Sequence, residues 1–316
     1  MSEHAPKLAI VGAGSVGATI AYAAMMRGVA KQIAIYDVDE AKVTAEVLDL
    51  NHGLQFVPMA TIEGSSDVAI CADATVVVIT AGARQKPGQT RMDLAAANVR
   101  ICREMVPKLV RQAPNAILLV VTNPCDVMTY VALKLSGLPG PRVLGSGTVL
   151  DSSRFRYLIA RRCGVAVQNV HAYIAGEHGD SEIPLWSTAN IASIPVADWR
   201  LPGQGPLGRE DRDAIFEGVR TAAYEIIRGK GATNYAIGLA TAKIVEALMH
   251  DERRVLPVSS LLTGHHGIDD VCLSLPTIVG RDGAEAVLDV PLSEEEIAGL
   301  RRSAETIRSS VRLLGF

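Results

Sequence analysis

The chain has 316 residues, more than one hydrophobic core usually serves, so its length predicts two lobes. It carries 34 acidic and 31 basic side chains, giving a net charge of −3, and it has no run of Lys and Arg. This pattern gives no support for nucleic acid or an anionic membrane as a partner, while a small anionic substrate needs only one or two placed cations.

The five cysteines are odd in number and form no C-x-x-C pair, so we expect reduced thiols in a reducing compartment. The first residues, Met1 to Lys7, form a short polar leader without the features of a secretion signal, which predicts a cytoplasmic protein. The uncharged stretch 8–26 is almost long enough to span a bilayer, but Gly12, Gly14 and Gly17 interrupt it, and Ser15 and Thr19 add polarity. A strand, a tight turn and a buried helix explain this stretch better than a membrane span.

Strand and helix signals alternate through the first half of the chain. Short apolar runs predict buried strands at 8–11, 32–36, 74–80, 116–121 and 143–145. Helical segments lie between them at 15–27, 39–50 and 92–111. This alternation predicts an α/β fold, a doubly wound parallel sheet of Rossmann type that occupies residues 1–145.

The pattern changes after about Ser146. Helices are expected at 151–162, 209–228, 234–250 and 293–314, with short strand-like segments up to about residue 206. Two apolar runs, 255–263 and 271–279, resemble a hairpin. Strands and helices without strict alternation predict a second, α+β domain over residues 146–316, which would bind the substrate and carry the catalytic groups.

The segment Gly12-Ala13-Gly14-Ser15-Val16-Gly17 matches the pattern G-x-G-x-x-G, directly after the first predicted strand and at the start of a helix. The first glycine allows a tight turn, the second lets a pyrophosphate approach the backbone, and the third lets the helix pack closely on the sheet. Free N–H groups at the helix start would bind the phosphates. A purely structural glycine-rich turn is the alternative. We expect the cofactor to be bound by Gly12, Gly14, Ser15, Val16 and Gly17.

Asp37 ends the second predicted strand, 20 positions after Gly17. A carboxylate there accepts hydrogen bonds from the ribose hydroxyls of the adenosine and repels a 2′-phosphate, so NAD is favoured over NADP. Its alternative role, capping the next helix, is one that Asp39 can fill.

A second informative segment is Gly176-Glu177-His178-Gly179-Asp180. A histidine between glycines can present its ring in a cleft and titrates near neutrality, which suits proton transfer. Asp151 would orient the ring, and Arg154, three residues later on the same helix face, offers a two-pronged grip on a carboxylate. The alternatives are a structural histidine and a helix start with an intrahelical ion pair.

A loop rich in Gly, Pro and Gln, residues 82–91, follows the strand predicted at 74–80, at the sheet edge where open α/β folds bind ligands. We expect this loop to close over bound substrate and bring Arg91 to the substrate carbonyl. Asn123 follows the strand predicted at 116–121 at the same edge, where its amide can donate to the same oxygen.

Five segments, in this order, resemble the lactate/malate dehydrogenase family. They are G-A-G-S-V-G at 12–17, G-A-R-Q-K-P-G-Q-T-R at 82–91, T-N-P-C-D at 122–126, D-S-S-R at 151–154 and G-E-H-G-D-S at 176–181. The resemblance runs from about Lys7 to the last helix. It implies an NAD-dependent oxidoreductase that moves a hydride to and from a small L-2-hydroxy acid.

The resemblance also implies a role for single residues. His178 is the proton donor and acceptor, Asp151 its orienting carboxylate, and Arg91 the group that polarises the carbonyl. Arg154 binds the substrate carboxylate, and Asn123 contacts both substrate and nicotinamide. The remaining two positions are Thr233, which lines the pocket, and Ile237, which packs on the nicotinamide ring. Asn234 stands where bacterial relatives often have an aromatic or small residue, and the resemblance gives it no role.

Gln85 occupies the specificity position of the family. Lactate-specific members carry Gln there and malate-specific members carry Arg, which implies pyruvate and L-lactate as substrates and leaves oxaloacetate and malate as the alternative. A second carboxylate buried against a neutral amide would cost on the order of several kcal/mol. Arg84 and Lys86 flank Gln85, and either would reverse this preference if it turned inward.

Arg156 and His171 match positions that bind fructose 1,6-bisphosphate between subunits in allosteric bacterial relatives. The resemblance therefore implies activation by this bisphosphate and a homo-oligomer, dimer or tetramer; ordinary interface residues are the alternative.

Two unrelated functions are alternatives to the dehydrogenase interpretation. An NAD-dependent glycosidase would need a metal site, and the sequence has no Cys and His cluster with ligand spacing, so no metal is expected. An inactive NAD-binding protein would have lost at least one of the four groups His178, Asp151, Arg154 and Arg91, and all four are present.

Overall fold

The computed structural model describes residues 6–83, 90–200 and 205–316, and at Arg91 it describes the backbone. The helices of these ranges, labelled in chain order, are α1 (Ser15–Arg27), α2 (Glu40–His52), α3 (Arg91–Gln112), α4 (Cys125–Ser136), α5 (Val149–Cys163), α6 (Arg209–Lys230), α7 (Tyr235–Met249) and α8 (Glu294–Leu313). None of these helices has the length and apolar composition that crossing a membrane requires.

The strands are also labelled in chain order. In the first half they are β1 (Lys7–Val11), β2 (Gln32–Tyr36), β3 (Thr61–Ser65), β4 (Val76–Ile79), β5 (Ile117–Val120) and β6 (Val143–Gly145). In the second half they are β7 (Val170–His171), β8 (Ile174–Ala175), β9 (Ile183–Pro184), β10 (Asn190–Ile191), β11 (Ile194–Pro195), β12 (Arg254–Leu256), β13 (Ser259–His265), β14 (Ile268–Ser274), β15 (Thr277–Gly280) and β16 (Gly283–Val287).

The large sheet has the order β14-β13-β6-β5-β4-β1-β2-β3. Its first six strands in the chain are all parallel, so the predicted doubly wound α/β sheet is confirmed. The order reverses between β1 and β4, and such a switch point opens a crevice at the carboxyl ends of the strands. Every residue of β4 and β5 is buried, as expected of central parallel strands covered by helices on both faces.

The two apolar runs expected to form a hairpin form two antiparallel pairs in different sheets. β13 pairs with β14, whereas β12 pairs with β15 in a small sheet completed by β16. Pro257 separates β12 from β13 and Pro276 separates β14 from β15, and proline cannot donate to a strand ladder. The β13–β14 pair also joins the large sheet, since Ser259 pairs with Gly145 of β6. The second half of the chain thus extends the sheet of the first.

The turn between β1 and α1 depends on two glycines. Gly12 has φ of +106°, a conformation that favours glycine. At Gly17 a Cβ atom would lie 1.9 Å from the carbonyl oxygen of Gly12, a backbone atom that cannot move aside. The third glycine of the motif therefore allows the first turn of α1 to pack on the end of β1.

We expect Gly17→Ala to lower the free energy of unfolding by about 2 kcal/mol or more, because the added methyl group overlaps backbone. Gly229→Ala is the matched control. It also lies inside a helix, but its Cβ would meet nothing within 4 Å, so it should raise stability by about 0.5–1 kcal/mol. Urea unfolding of both variants checks this, and equal effects would contradict the packing argument.

Candidate active site

A cleft of about 1720 Å³ opens at the carboxyl ends of β1, β4 and β5, between groups from both halves of the chain. It brings together most of the predicted site residues, namely Gly12, Gly14, Ser15, Val16, Gly17, Asp37, Asn123, Asp151, Arg154, His178, Thr233 and Ile237. Gln85 and the side chain of Arg91 lie outside the described residues, and so does most of the loop expected to close. Arg156 and His171 do not line this cleft.

One end of the cleft has the features of a dinucleotide site. Helix α1 begins after Gly14 without a side-chain cap and without an acidic residue in its first turn, so its N–H groups are available to an anion. A Cβ atom on Gly14 would meet only the ammonium of Lys42, at 3.9 Å, which leaves room for a phosphate against the backbone. These residues fit the pyrophosphate of a dinucleotide.

Asp37 lies directly after β2 and holds the turn from the other side. Its Oδ2 accepts the N–H of Ala13 at 2.6 Å, and its Oδ1 accepts the N–H of Asp39 at 3.0 Å. Asp39, in turn, caps α2 through the N–H of Lys42. The carboxylate of Asp37 is therefore fixed in place and keeps lone pairs for the ribose hydroxyls.

Lys42 is a member of this site that sequence reasoning missed. Its ammonium lies 3.9 Å from Asp37 Oδ2, close to Gly14 and on the wall of the cleft. A cation there balances the carboxylate and faces the position expected for the phosphates. One signal in the sequence points to Lys42, namely its place in the first turn of α2, shortly after Asp37.

At the other end of the cleft, one carboxylate holds two cationic side chains. Asp151 Oδ2 lies 2.5 Å from His178 Nδ1, and Asp151 Oδ1 accepts a hydrogen bond from Arg154 Nη1 at 2.7 Å. Helix α5 begins at Val149, two residues earlier than expected, so Asp151 lies in the first turn and is not the helix cap. Its side chain is 3% exposed, whereas that of His178 is 26% exposed at the cleft. Asp151 therefore orients the ring and leaves Nε2 for the cleft.

The loop that carries His178 is anchored at three successive residues. Gly176 exchanges two backbone hydrogen bonds with Ser274 of β14, at 2.9 and 3.1 Å. The N–H of Glu177 donates to Ser303 Oγ, and the N–H of His178 donates to Asp126 Oδ2, both at 2.7 Å. The position of the ring is thus determined by the large sheet, by α8 and by α4.

The surroundings of His178 favour its protonated form. Attraction to Asp151 raises the pKa of His178 to about 9, and this effect outweighs burial, which lowers it. Burial alone would raise the pKa of Asp151, but the charges of His178 and Arg154 hold it below its usual value. At neutral pH the pair is therefore a histidinium and a carboxylate.

Two further acids surround this pair. Asp126 is almost completely buried beneath the His178 loop, and burial raises its pKa to about 6. Glu182 is 7% exposed; burial, followed by repulsion from Asp151, raises its pKa to about 8, so it is mostly neutral at pH 7. Both residues belong to motifs or their immediate continuation, T-N-P-C-D and G-E-H-G-D-S-E, but sequence reasoning assigned them no role.

Asn98 on α3 was also missed, and it connects two loops of the cleft. Its Oδ1 accepts the N–H of Ala83, and its Nδ2 donates to the carbonyl of Asn123, both at 2.7 Å. Thr122 adds a hydrogen bond to the carbonyl of Ala81 at 2.8 Å. The chain after β4 and the chain after β5 are therefore held together, which positions Asn123 at the cleft.

Two family profiles match the chain, one to each half. Residues 6–145 match "lactate/malate dehydrogenase, NAD binding domain", and residues 148–314 match "lactate/malate dehydrogenase, alpha/beta C-terminal domain". The first match covers the dinucleotide end of the cleft, and the second covers Asp151, Arg154 and His178.

Curated proteins and a solved structure resemble the chain over nearly its whole length. An L-lactate dehydrogenase of Bifidobacterium animalis subsp. lactis is 56% identical over 98% of this chain and 97% of that protein. An L-lactate dehydrogenase of a Synechococcus strain is 52% identical over 96% of this chain and 98% of that protein. A crystal structure of a lactate dehydrogenase from a deep-sea metagenome library superposes with a TM-score of 0.94 at 42% identity, covering 98% of this chain and 99% of that one.

A pH titration by NMR tests the electrostatics of the site. We expect the ring resonance of His178, assigned by its loss in His178→Gln, to titrate near pH 9. Asp151→Asn keeps the shape but removes the main attraction, so the pKa should fall well below 9. Asp126→Asn should lower the pKa of His178 less.

Because the pKa of His178 is raised on folding, the stability that His178 contributes is complete below about pH 6.5 and is lost as the pH rises through 9. Titration of wild type near 6.5 would refute this account.

Proposed function

The chain belongs to the lactate/malate dehydrogenase family and is an NAD-dependent oxidoreductase, and we propose that it is an L-lactate dehydrogenase, which interconverts pyruvate and L-lactate. The observation that carries the proposal is the single carboxylate of Asp151, which holds His178 and Arg154 in the same cleft as the dinucleotide site. The names of the relatives at 56% and 52% identity support lactate as the substrate.

The proposed chemistry divides between the cofactor and three side chains. NADH, when bound, supplies the hydride. Arg154 binds the substrate carboxylate with the guanidinium N–H groups that Asp151 leaves free. His178, protonated at neutral pH, donates its proton from Nε2 to the ketone oxygen during reduction and takes it back during oxidation. Asp151 stabilises the histidinium throughout.

Further residues complete the site in this proposal. Arg91 polarises the substrate carbonyl when its loop closes, and Asn123 donates to the same oxygen. Thr233, two residues before α7, and Ile237, in the first turn of α7, line the pocket and pack against the nicotinamide. Gln85 faces the substrate side chain. Pyruvate brings only a methyl group to this position, whereas oxaloacetate brings a second charge that a neutral amide does not pair.

Regulation by fructose 1,6-bisphosphate is a second part of the proposal. The Nε of Arg156 donates to the carbonyl of Ala172 at 2.8 Å, and the residue before Ala172 is the exposed His171 of β7. The charge of Arg156 also lies over the ring of Tyr173, 4.9 Å from the centroid. Arg156 and His171, which lie outside the active-site cleft, would bind phosphates, and across a two-fold axis the same pair from a second subunit would complete the site.

The same proposal requires a homo-oligomer. Large apolar side chains are half exposed or more on the packed helices α1 and α7, namely Tyr22, Met26, Tyr235 and Leu239. Exposed apolar side chains on adjacent helices suit a subunit interface.

For the compartment we propose the cytoplasm, because the five cysteines are all free and buried, as in proteins that fold under reducing conditions.

Substrate preference is the first measurement. We expect kcat/KM for NADH oxidation to be about a hundredfold or more higher with pyruvate than with oxaloacetate, which is about 3 kcal/mol. Gln85→Arg should reverse the preference because it pairs the second carboxylate, whereas Arg84→Gln and Lys86→Gln should leave it. His178→Ala should lose most of the turnover. A wild-type ratio near or below one would make the enzyme a malate dehydrogenase in which Arg84 or Lys86 reaches the substrate.

Addition of fructose 1,6-bisphosphate should lower the half-saturating concentration of pyruvate, and Arg156→Ala or His171→Ala should abolish this response without lowering kcat at saturation. Arg161→Ala, an exposed arginine on the same helix, is the control. Light scattering with and without the bisphosphate gives the mass and distinguishes dimer from tetramer. An enzyme that is active alone and does not respond at physiological bisphosphate concentrations would refute this part of the proposal.

A further inference from the structure

Asn234 takes part in a chain of hydrogen bonds that links α6, α7 and α1. Its Oδ1 accepts a hydrogen bond from Lys230 Nζ at 2.6 Å, and its Nδ2 donates to Thr19 Oγ1 at 3.0 Å. Thr19 Oγ1 donates in turn to the carbonyl of Ser15 at 2.6 Å. The chain therefore runs from the last turn of α6 to the first turn of the helix that faces the cofactor.

The direction of every bond in this chain is determined by chemistry. Lys230 can only donate, so it needs the amide oxygen of Asn234. The proton of Thr19 is engaged with Ser15, so Thr19 accepts from the amide nitrogen. A carboxamide is the group that meets both demands at once. The ammonium also polarises the amide, which strengthens its donation to Thr19.

The link lies where the two halves of the chain cross. Asn234 is the residue before α7, directly after Thr233 and three residues before Ile237, both of which line the cleft. Helix α1 packs closely on α7, since a Cβ atom on Gly238 would lie 2.5 Å from Thr19 Cγ2. The close crossing sets the distance between the two helices, and the hydrogen bond to Thr19 resists sliding and rotation at the end nearest the substrate.

We propose that Asn234 is a positioning residue that holds the α7 wall of the pocket, Thr233 and Ile237, in register with the cofactor helix α1. Asn234 acts through its neighbours and does not contact the reacting atoms. The inference rests on the proposed function in one respect, that the pocket takes a 2-keto acid. Its consequence is that substrate affinity depends on a hydrogen bond to Thr19, whereas cofactor affinity, which has most of its proposed contacts in the first half and only the packing of Ile237 in the second, changes much less.

The test compares Asn234→Ala, Thr19→Val and the double variant. NADH affinity is measured by nicotinamide fluorescence, and the affinity of the NADH complex for oxamate, a non-reacting analogue of pyruvate, is measured by the change in that fluorescence. We expect each single variant to weaken oxamate binding and to raise KM for pyruvate about fivefold, the effect of one hydrogen bond. NADH affinity and kcat should stay within about twofold. Because both variants break the same bond, the double variant should be no worse than either single one.

Two controls separate positioning from general damage. Thr19→Ser keeps the hydroxyl and should bind oxamate like wild type. Asn115→Ala removes an exposed asparagine elsewhere and should change nothing. The inference is overturned if Asn234→Ala leaves oxamate affinity within twofold of wild type, if the two single effects multiply, or if Thr19→Ser behaves like Thr19→Val.

The outcomes also distinguish this inference from the proposed function. A wild type that binds oxamate and reduces pyruvate, with Asn234→Ala unchanged, overturns the inference alone. A wild type that binds NADH and oxamate but reduces no pyruvate overturns the proposed function, and the oxamate comparison still decides the role of Asn234. A wild type that binds NADH but no oxamate overturns both.

Discussion

The buried carboxylate of Asp151 is the interaction on which the active site depends. Burying a charge is costly unless it is paired and hydrogen-bonded, and Asp151 has a cationic partner on each oxygen, His178 and Arg154. The same pairing serves two purposes. It offsets the cost of burial, and it separates the proposed proton donor from the proposed carboxylate-binding group by the width of one carboxylate. Removing Asp151 would leave both cations without their common partner, so the site could not keep its charge or its geometry.

The fold supplies that carboxylate at a fixed place. Strand β6 ends at Gly145, and α5 begins four residues later, so Asp151 stands close to the carboxyl end of the sheet. Between them, Thr148 donates from its N–H to the carbonyl of Pro257 and from its hydroxyl to the carbonyl of Ile174. The β13–β14 hairpin that joins β6 also holds the His178 loop through Ser274. One sheet therefore positions both the glycine turn after β1 and the pair Asp151 and His178.

Much of this arrangement could be predicted from the sequence, and the remainder depends on tertiary contacts. The glycine motif is local, because Gly12 and Gly17 are constrained by each other and by one turn of helix. The pairing of Asp151 with His178, 27 residues apart, came from physical plausibility and family resemblance. Asn98 and Asp126 gave no such signal, since each acts on backbone N–H groups of a distant loop and any buried polar side chain could do so. The split of the expected hairpin follows from Pro257 and Pro276, which interrupt the two apolar runs.

The acids around His178 bear on the choice of substrate. At neutral pH the histidinium and Arg154 are positive, Asp151 is negative, and Glu182 is held mostly neutral by burial and by repulsion from Asp151. Asp126, whose pKa of about 6 leaves it mostly ionised, brings the net charge of these five groups to about zero, so a neutral Glu182 keeps the site from being anionic toward the proposed carboxylate substrate. An ionised Glu182 would add an unpaired negative charge to the site, and a second carboxylate on the substrate would do the same. The burial of Glu182 therefore supports the proposed preference for a monocarboxylate, which is also the preference proposed for Gln85.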